Sequence, residues 1–336
     1  MLKRLHIVLV LILTQISWAQ DIHFSQTERS YLNLNPAFCG FENAVNVSMN
    51  YKTQWNPTLS PFNTYLISGD MCLSRNDRSK FDMSLGGMIS RDQAGDPQLN
   101  TTMVNLYLSS KIRLTKNQSF GAGLFVGYRQ VATGEADGQW ASQFDGSQYD
   151  SDIDSGESFA QLKYGGINSG VGVVYHLGAS KRSVQDGSAK TLTAGAAIYN
   201  LNRPREGFFI NSTERLRQRM SFFVKSSLGF RGSILSVEPS TFYHRQGPFQ
   251  ELQFGTYLAV DLLNSGQYIG KMSELKVGVG LFHRIRDALI FKAYGTVDDF
   301  SVGMSYDFNI SPLMLSSNVR GGIEFYLGYQ LKSFKK

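Results

Sequence analysis

The chain is poor in charge. Lys, Arg, Asp and Glu make up 18% of its 336 residues, against about a quarter in an ordinary soluble domain. It has two cysteines, Cys39 and Cys72, too few for a disulfide-dense scaffold or a four-cysteine zinc site; one disulfide or two free thiols both remain open. Beyond residue 20 no uninterrupted apolar run approaches the length of a spanning helix, which excludes a helical membrane protein. There is no Lys/Arg block. With Lys3 and Arg4 set aside, 31 basic residues face 27 acidic ones, a modest excess that does not indicate nucleic acid. His6, His23, His176, His244 and His283 are scattered without a metal-binding spacing. Neither a G-x-S-x-G elbow nor a phosphate-binding G-x-x-x-x-G-K-[ST] loop occurs, so no catalytic residue, metal ligand or cofactor is predicted.

What the chain does have is glycine (33), phenylalanine (23) and tyrosine (16), with a mean hydropathy of −0.19, too apolar for disorder. Residues 1–19 read as a signal peptide. Lys3 and Arg4 precede a short apolar run, and Ser17-Trp18-Ala19 is a small-x-small cleavage site, so the mature chain is expected to begin at Gln20 and to leave the cytoplasm. Residues 20–43, rich in Asn and aromatics, form an N-terminal segment expected in the periplasm or in a barrel lumen.

From residue 44 to 336 the pattern is alternation. Val45, Val47, Met49 and Tyr51 alternate with Asn46, Ser48, Asn50 and Lys52; Val104, Leu106 and Leu108 oppose Asn105, Tyr107 and Ser109. Period two means strands with one apolar face and one small or polar face. About fourteen are predicted: 45–52, 65–73, 81–90, 103–112, 121–129, 168–177, 190–200, 220–231, 233–244, 250–261, 275–284, 287–295, 299–308 and 318–330. Many exceed the five or six residues of soluble strands and match a tilted bilayer crossing. Lys111, Lys225, Lys292 and Glu324 fall mid-strand on the polar face, where a dry sandwich core would not hold them unpaired. The predicted fold is therefore all-β, a transmembrane antiparallel β-barrel of about fourteen strands in the outer membrane, with lipid against the apolar face.

Termini in the periplasm put the short connections Arg75–Lys80, Thr115–Gln118, Arg231–Gly232 and Gly295–Asp298 inside. Arg91–Gln98, Ala132–Ile167 and Asn202–Arg219 then lie outside. Gly178–Lys190 and Leu262–Ser273 are long for inside turns. Inward Tyr107, Phe125, Tyr257 and Tyr326 predict a partly filled lumen, and strand glycines such as Gly278 and Gly280 are read as room for bulky neighbours and curvature. The acidic stretch Asp145–Glu157 fits a calcium loop or a solvated outer loop.

Several stretches in order resemble the PorP/SprF family of type IX secretion outer-membrane proteins of the Bacteroidota. They are Gln20-Asp21-Ile22-His23-Phe24-Ser25-Gln26, Asn33-Leu34-Asn35-Pro36-Ala37-Phe38-Cys39-Gly40, Gln54-Trp55, the segment Trp140 to Glu157, Asn200-Leu201-Asn202-Arg203-Pro204, Pro239 to Gly247, and in the closing third Arg284-Ile285-Arg286-Asp287-Ala288, Ser305 to Ser311 and Gly321-Gly322-Ile323-Glu324. Cys39 departs from the small residue usual there, and His283 from an aromatic one. The resemblance implies a non-enzymatic component of type IX secretion. It would assist secretion or surface attachment of a large adhesin-like protein through that protein's C-terminal signal, together with other secretion components, and in some members serve gliding motility. A passive channel for small solutes is the alternative. Trp55, Trp140, Gln143, Phe144, Arg203, Arg245, Arg284 and Asp287 map to outer loops or outer strand ends. They are the candidate partner-binding rim, since Trp and Arg dominate protein contacts; bracing of the loops is the competing role.

Overall fold

The computed structural model describes residues 22–54, 62–74, 80–94, 99–133, 141–150, 152–153, 163–178, 190–207, 213–230, 232–263, 274–310 and 320–332. Expectations on residues 1–19, Trp55 and Trp140 fall outside them. A one-turn helix α1 (Tyr31–Leu34) and a 3-10 turn (Pro36–Phe38) precede fourteen strands. These are β1 (Val45–Gln54), β2 (Phe62–Cys72), β3 (Phe81–Ala94), β4 (Leu99–Arg113), β5 (Gln118–Ala132), β6 (Lys163–Gly178) and β7 (Lys190–Tyr199). Then come β8 (Arg219–Gly229), β9 (Leu235–Gln246), β10 (Phe249–Leu263), β11 (Leu275–Arg284), β12 (Ala288–Val297), β13 (Phe300–Asn309) and β14 (Arg320–Leu331).

Each strand pairs antiparallel with its sequence neighbours, and β1 pairs with β14, Val45 opposite Leu331 and Gln54 opposite Gly322. The sheet is a closed barrel, which leaves no strand edge unpaired. Its strands run from 10 to 16 residues. We call the end holding Val45 and Leu331 the near end. The long 133–162 and 200–218 connections lie at the far end, but so do the tight turns 247–248 and 285–287.

Two loop bounds need correction. Arg91–Ala94 belongs to β3, and β6 begins at Lys163 rather than near 168. Thr101–Val131 and Gln93–Asn100 still pair there. The backbone ladder continues past the apolar belt, and polar residues such as Asn100, Thr101 and Thr102 carry no period-two signal.

The alternation sorts as lipid-facing and lumenal. Val47, Met49, Leu106 (67% exposed), Leu258 and Val302 point out, while Asn46, Ser48, Asn50, Asn105 and Tyr107 are buried inside. Burial is inverted relative to a soluble protein, as a lipid-facing wall requires. The hydrophobic core lies in the lumen, and the N-terminal segment supplies a third of its buried residues among those described. Leu34, Phe38 and Phe41 pack with Phe223, Phe242 and Phe282. Phe24, Leu32 and Cys39 pack with Leu66, Met88, Tyr107, Phe125 and Tyr199.

Candidate functional site

Residues 22–44 therefore stand inside the barrel as a plug, and each wall charge singled out by its mid-strand position meets it. Lys111 Nζ donates to the Phe41 carbonyl at 2.6 Å. Lys225 pairs with Glu42 at 2.7 Å. Lys292, fully buried, pairs with Glu28 at 3.0 Å. The Glu324 carboxylate accepts the Ser25 amide at 2.7 Å and the Gln26 amide at 3.3 Å. A buried charge is tolerated only when paired and hydrogen-bonded, and the plug supplies those partners.

Further polar contacts complete the seat. Asn35 caps the 3-10 turn by accepting the Ala37 amide at 2.9 Å. Its Nδ2 donates to the carbonyls of Val173 at 3.0 Å and Ala196 at 3.1 Å, on β6 and β7. Asp70 accepts the Gly40 amide at 2.6 Å. Arg219 donates to the carbonyls of Ile22 and Asn33 at 3.3 and 3.1 Å, with its guanidinium 4.2 Å over the Tyr199 ring. The wall glycines facing this turn give it space. A Cβ at Gly123 would stand 2.5 Å from the Pro36 oxygen, and one at Gly172 would stand 2.2 Å from Asn35 Oδ1.

The titration of plug groups follows from these contacts. Burial alone would raise the Glu28 carboxyl, but the Lys292 ammonium and the Tyr257 hydroxyl outweigh it, and its pKa lies below the ordinary value. Burial, with the Asp70 carboxylate, pushes the Cys39 thiol well up. Cys39 and Cys72 are both buried free thiols.

The far rim is assembled from separate pieces. Gln143 is buried: its Nε2 donates to the Ile153 carbonyl at 3.0 Å and its own carbonyl accepts the Asp150 amide at 2.9 Å. Phe144 beside it is 56% exposed. Asp145 Oδ1 accepts the amides of Ser147 and Gln148 at 2.7 and 2.8 Å, closing a local turn. Arg203 is exposed, with φ of 44°, and its carbonyl accepts from Arg215 at 3.3 Å. Glu206 of the same loop pairs with Arg129 on β5 at 2.7 Å. Arg245 is exposed at the end of β9, where its partner across the ladder is Met220. The Arg217 side chain from the Arg203 loop lies against Gly247 in the adjoining turn, so Arg203 and Arg245 share one sector of the rim.

Arg284 does not join that surface. It ends β11 pointing inward, its side chain 3% exposed, and binds Asp307 at 2.7 Å and Asp287. Its Nη1 stands 3.5 Å from Ser25 Oγ, which itself donates to Asp307 at 2.7 Å. Arg284 is a brace between the far turn and the plug. Of that pair only Asp287, its side chain half exposed, reaches the surface. Sequence reading missed Ser25, Glu28, Asn35, Asp70, Arg219 and Asp307. Period two puts Asp70 on a polar strand face, but nothing in the sequence links any of them to partners that lie far away in the chain.

Among solved structures the chain is similar to a monoaromatic hydrocarbon channel, CymD, at 13% identity and TM-score 0.43, covering 96% of this chain and 95% of that one. It is also similar to a Pseudomonas aeruginosa FadL homologue, at 11% identity and TM-score 0.46, covering 90% and 94%. At these scores nothing of either protein's transport passes to this chain. No curated protein matches. The family model for the type IX secretion system membrane protein PorP/SprF matches residues 16–329. A transmembrane barrel with a seated N-terminal segment, matched by that model over nearly its whole length, is thus a member of the PorP/SprF family of type IX secretion system membrane proteins.

Proposed function

We propose that the chain is an outer-membrane component of type IX secretion that acts by binding a secreted protein at its far, outer rim, and neither by catalysis nor by conducting solutes. The observation that carries this reading is the plug. Ion pairs and hydrogen bonds to β1, β2, β4, β6, β7, β8, β11, β12, β13 and β14 hold residues 22–44 across the lumen, which disfavours a wide passive channel. The surface left for work is the rim. Exposed Phe144, Arg203 and Arg245 are residue types that anchor protein contacts; Asp287 is at the same far end, and Trp55 and Trp140 are assigned to the rim from the sequence. The partner we assign is a large adhesin-like surface protein or its C-terminal signal, held with other secretion components and, in a motile cell, serving gliding.

Arg203→Ala with Arg245→Ala tests this. Both side chains are exposed, so normal amounts of heat-modifiable barrel are expected in the outer membrane, while the cognate adhesin fails to stay on the cell surface. Unchanged display of every surface substrate would overturn the rim assignment. Arg284→Ala is the contrast. It strips a counter-ion from buried Asp307 and should loosen the plug seat itself.

A further inference from the structure

A cavity of about 380 Å³ lies between the plug and the wall. Its lining includes Asn46, Thr191, Ser227 and Gln330, each within two residues of a strand terminus at the near end. The Glu42 side chain at its lip is 48% exposed, so solvent reaches it. Three carboxylates line the space, and each is matched by a lysine: Glu28 by Lys292, Glu42 by Lys225, and Glu238 by Lys276. Tyr257 and Tyr294 add hydroxyl donors to Glu28 and Glu238. His176 is held by Thr193 at 2.9 Å.

Arg29 is left over. It also lines the cavity, and its guanidinium stands 4.4 Å from the Tyr294 ring centre and 5.5 Å from that of Tyr326. Nε is buried without a partner, and among the described residues no carboxylate pairs with Arg29. A guanidinium with neither a hydrogen-bond acceptor nor a carboxylate at ion-pair distance is costly to enclose even in part. Two ring faces orient it but supply no hydrogen-bond acceptor. The planar fork of donors matches a carboxylate bidentately.

We propose that this near-end cavity is a carboxylate-binding site anchored by Arg29. The space admits one acidic side chain or a small organic acid, not a folded domain. With the near end in the periplasm, the site would be open to periplasmic ligands while the plug stays seated. The site does not depend on the rim reading, so Arg203→Ala with Arg245→Ala leaves its affinity unchanged.

Isothermal titration of the full-length mature protein in detergent micelles tests this. The probes are glutarate, the capped peptide acetyl-Gly-Glu-Gly-amide and its Gln counterpart. The Glu peptide is expected to bind at least tenfold more tightly than the Gln peptide, and Arg29→Gln should erase the difference. Binding of glutarate as tightly as the peptide identifies a free organic acid as the ligand; binding of the Glu peptide alone identifies an acidic protein side chain. The peptide comparison is made on the unsubstituted protein, so it stands even where Arg29→Gln does not fold. Equal binding of the two peptides, or no binding of any probe, overturns the proposal. So does undiminished Glu selectivity in Arg29→Gln.

Discussion

Glu28→Gln is the sharpest local perturbation of the plug. Lys292 has no exposed side-chain surface and Glu28 about a tenth of its own, and their charges meet at 3.0 Å. Tyr257 also donates to this carboxylate. Gln keeps the shape and removes the charge, stranding a buried ammonium whose nearest other aromatic contact is the Phe282 ring at 3.8 Å. Removing one partner of a buried pair costs about 3–5 kcal/mol. The cost falls on plug docking rather than on the barrel, because the strand ladder is untouched. At about 1.4 kcal/mol per factor of ten, opening of the plug becomes roughly a hundred- to a few thousand-fold more frequent. Native-state hydrogen exchange in micelles reads this directly at the amides of Ser25, Gln26 and Leu34, while strand amides at Leu106 or Val126 keep their protection. Glu28→Leu with Lys292→Met, an apolar pair of similar volume, should recover most of the loss. Plug exchange within threefold of wild type in Glu28→Gln would refute the reasoning.

The remaining predictions are independent of that pair. Leu106→Arg places a charge on a lipid-facing position and should destabilise the barrel by about 2–4 kcal/mol near mid-membrane; refolding into lipid vesicles measures it, with Leu106→Ala as the benign control. Because the Glu28 pKa is depressed, its contribution to docking is full above the ordinary carboxylate pKa and is lost as pH falls through the lowered value. Pepsin cleavage at Phe24 or Leu32 should therefore rise only in strongly acidic buffer. Cys39 and Cys72 are buried free thiols, so maleimide should label neither in the native barrel and both after denaturation; no labelling after denaturation would mean a disulfide.

Much of the barrel was legible because a lipid-facing wall writes its period into sequence. Leu106 and Asn105 differ in exposure by most of a side chain, and fourteen such alternations read off the chain match the fourteen strands. The far extensions of β3 to β6 were hidden, since a ladder above the membrane needs hydrogen bonds and no apolar face. The plug was half legible. Lys111, Lys225, Lys292 and Glu324 required a polar or paired interior, but water would have satisfied them as well as Phe41, Glu42, Glu28 and Ser25 do. Wall glycines read as room for bulky neighbours and curvature; Gly278 and Gly280 do face Tyr294 and Tyr257, while Gly123 and Gly172 make room for Pro36 and Asn35 of the plug. Arg284 shows the limit at the rim. Its place at a far strand end was legible, but inward pointing is decided by register, and register set it against Asp307 rather than toward a partner.

The central claim is that the N-terminal segment closes the lumen, and single-channel recording in planar bilayers tests it most directly. The wild-type protein is predicted to give no large steady conductance, and a variant lacking residues 22–43 to give one, because removal of the plug leaves a fourteen-strand lumen lined by Lys, Glu, Ser and Asn for water to fill. A large steady pore in the wild-type protein would contradict the account.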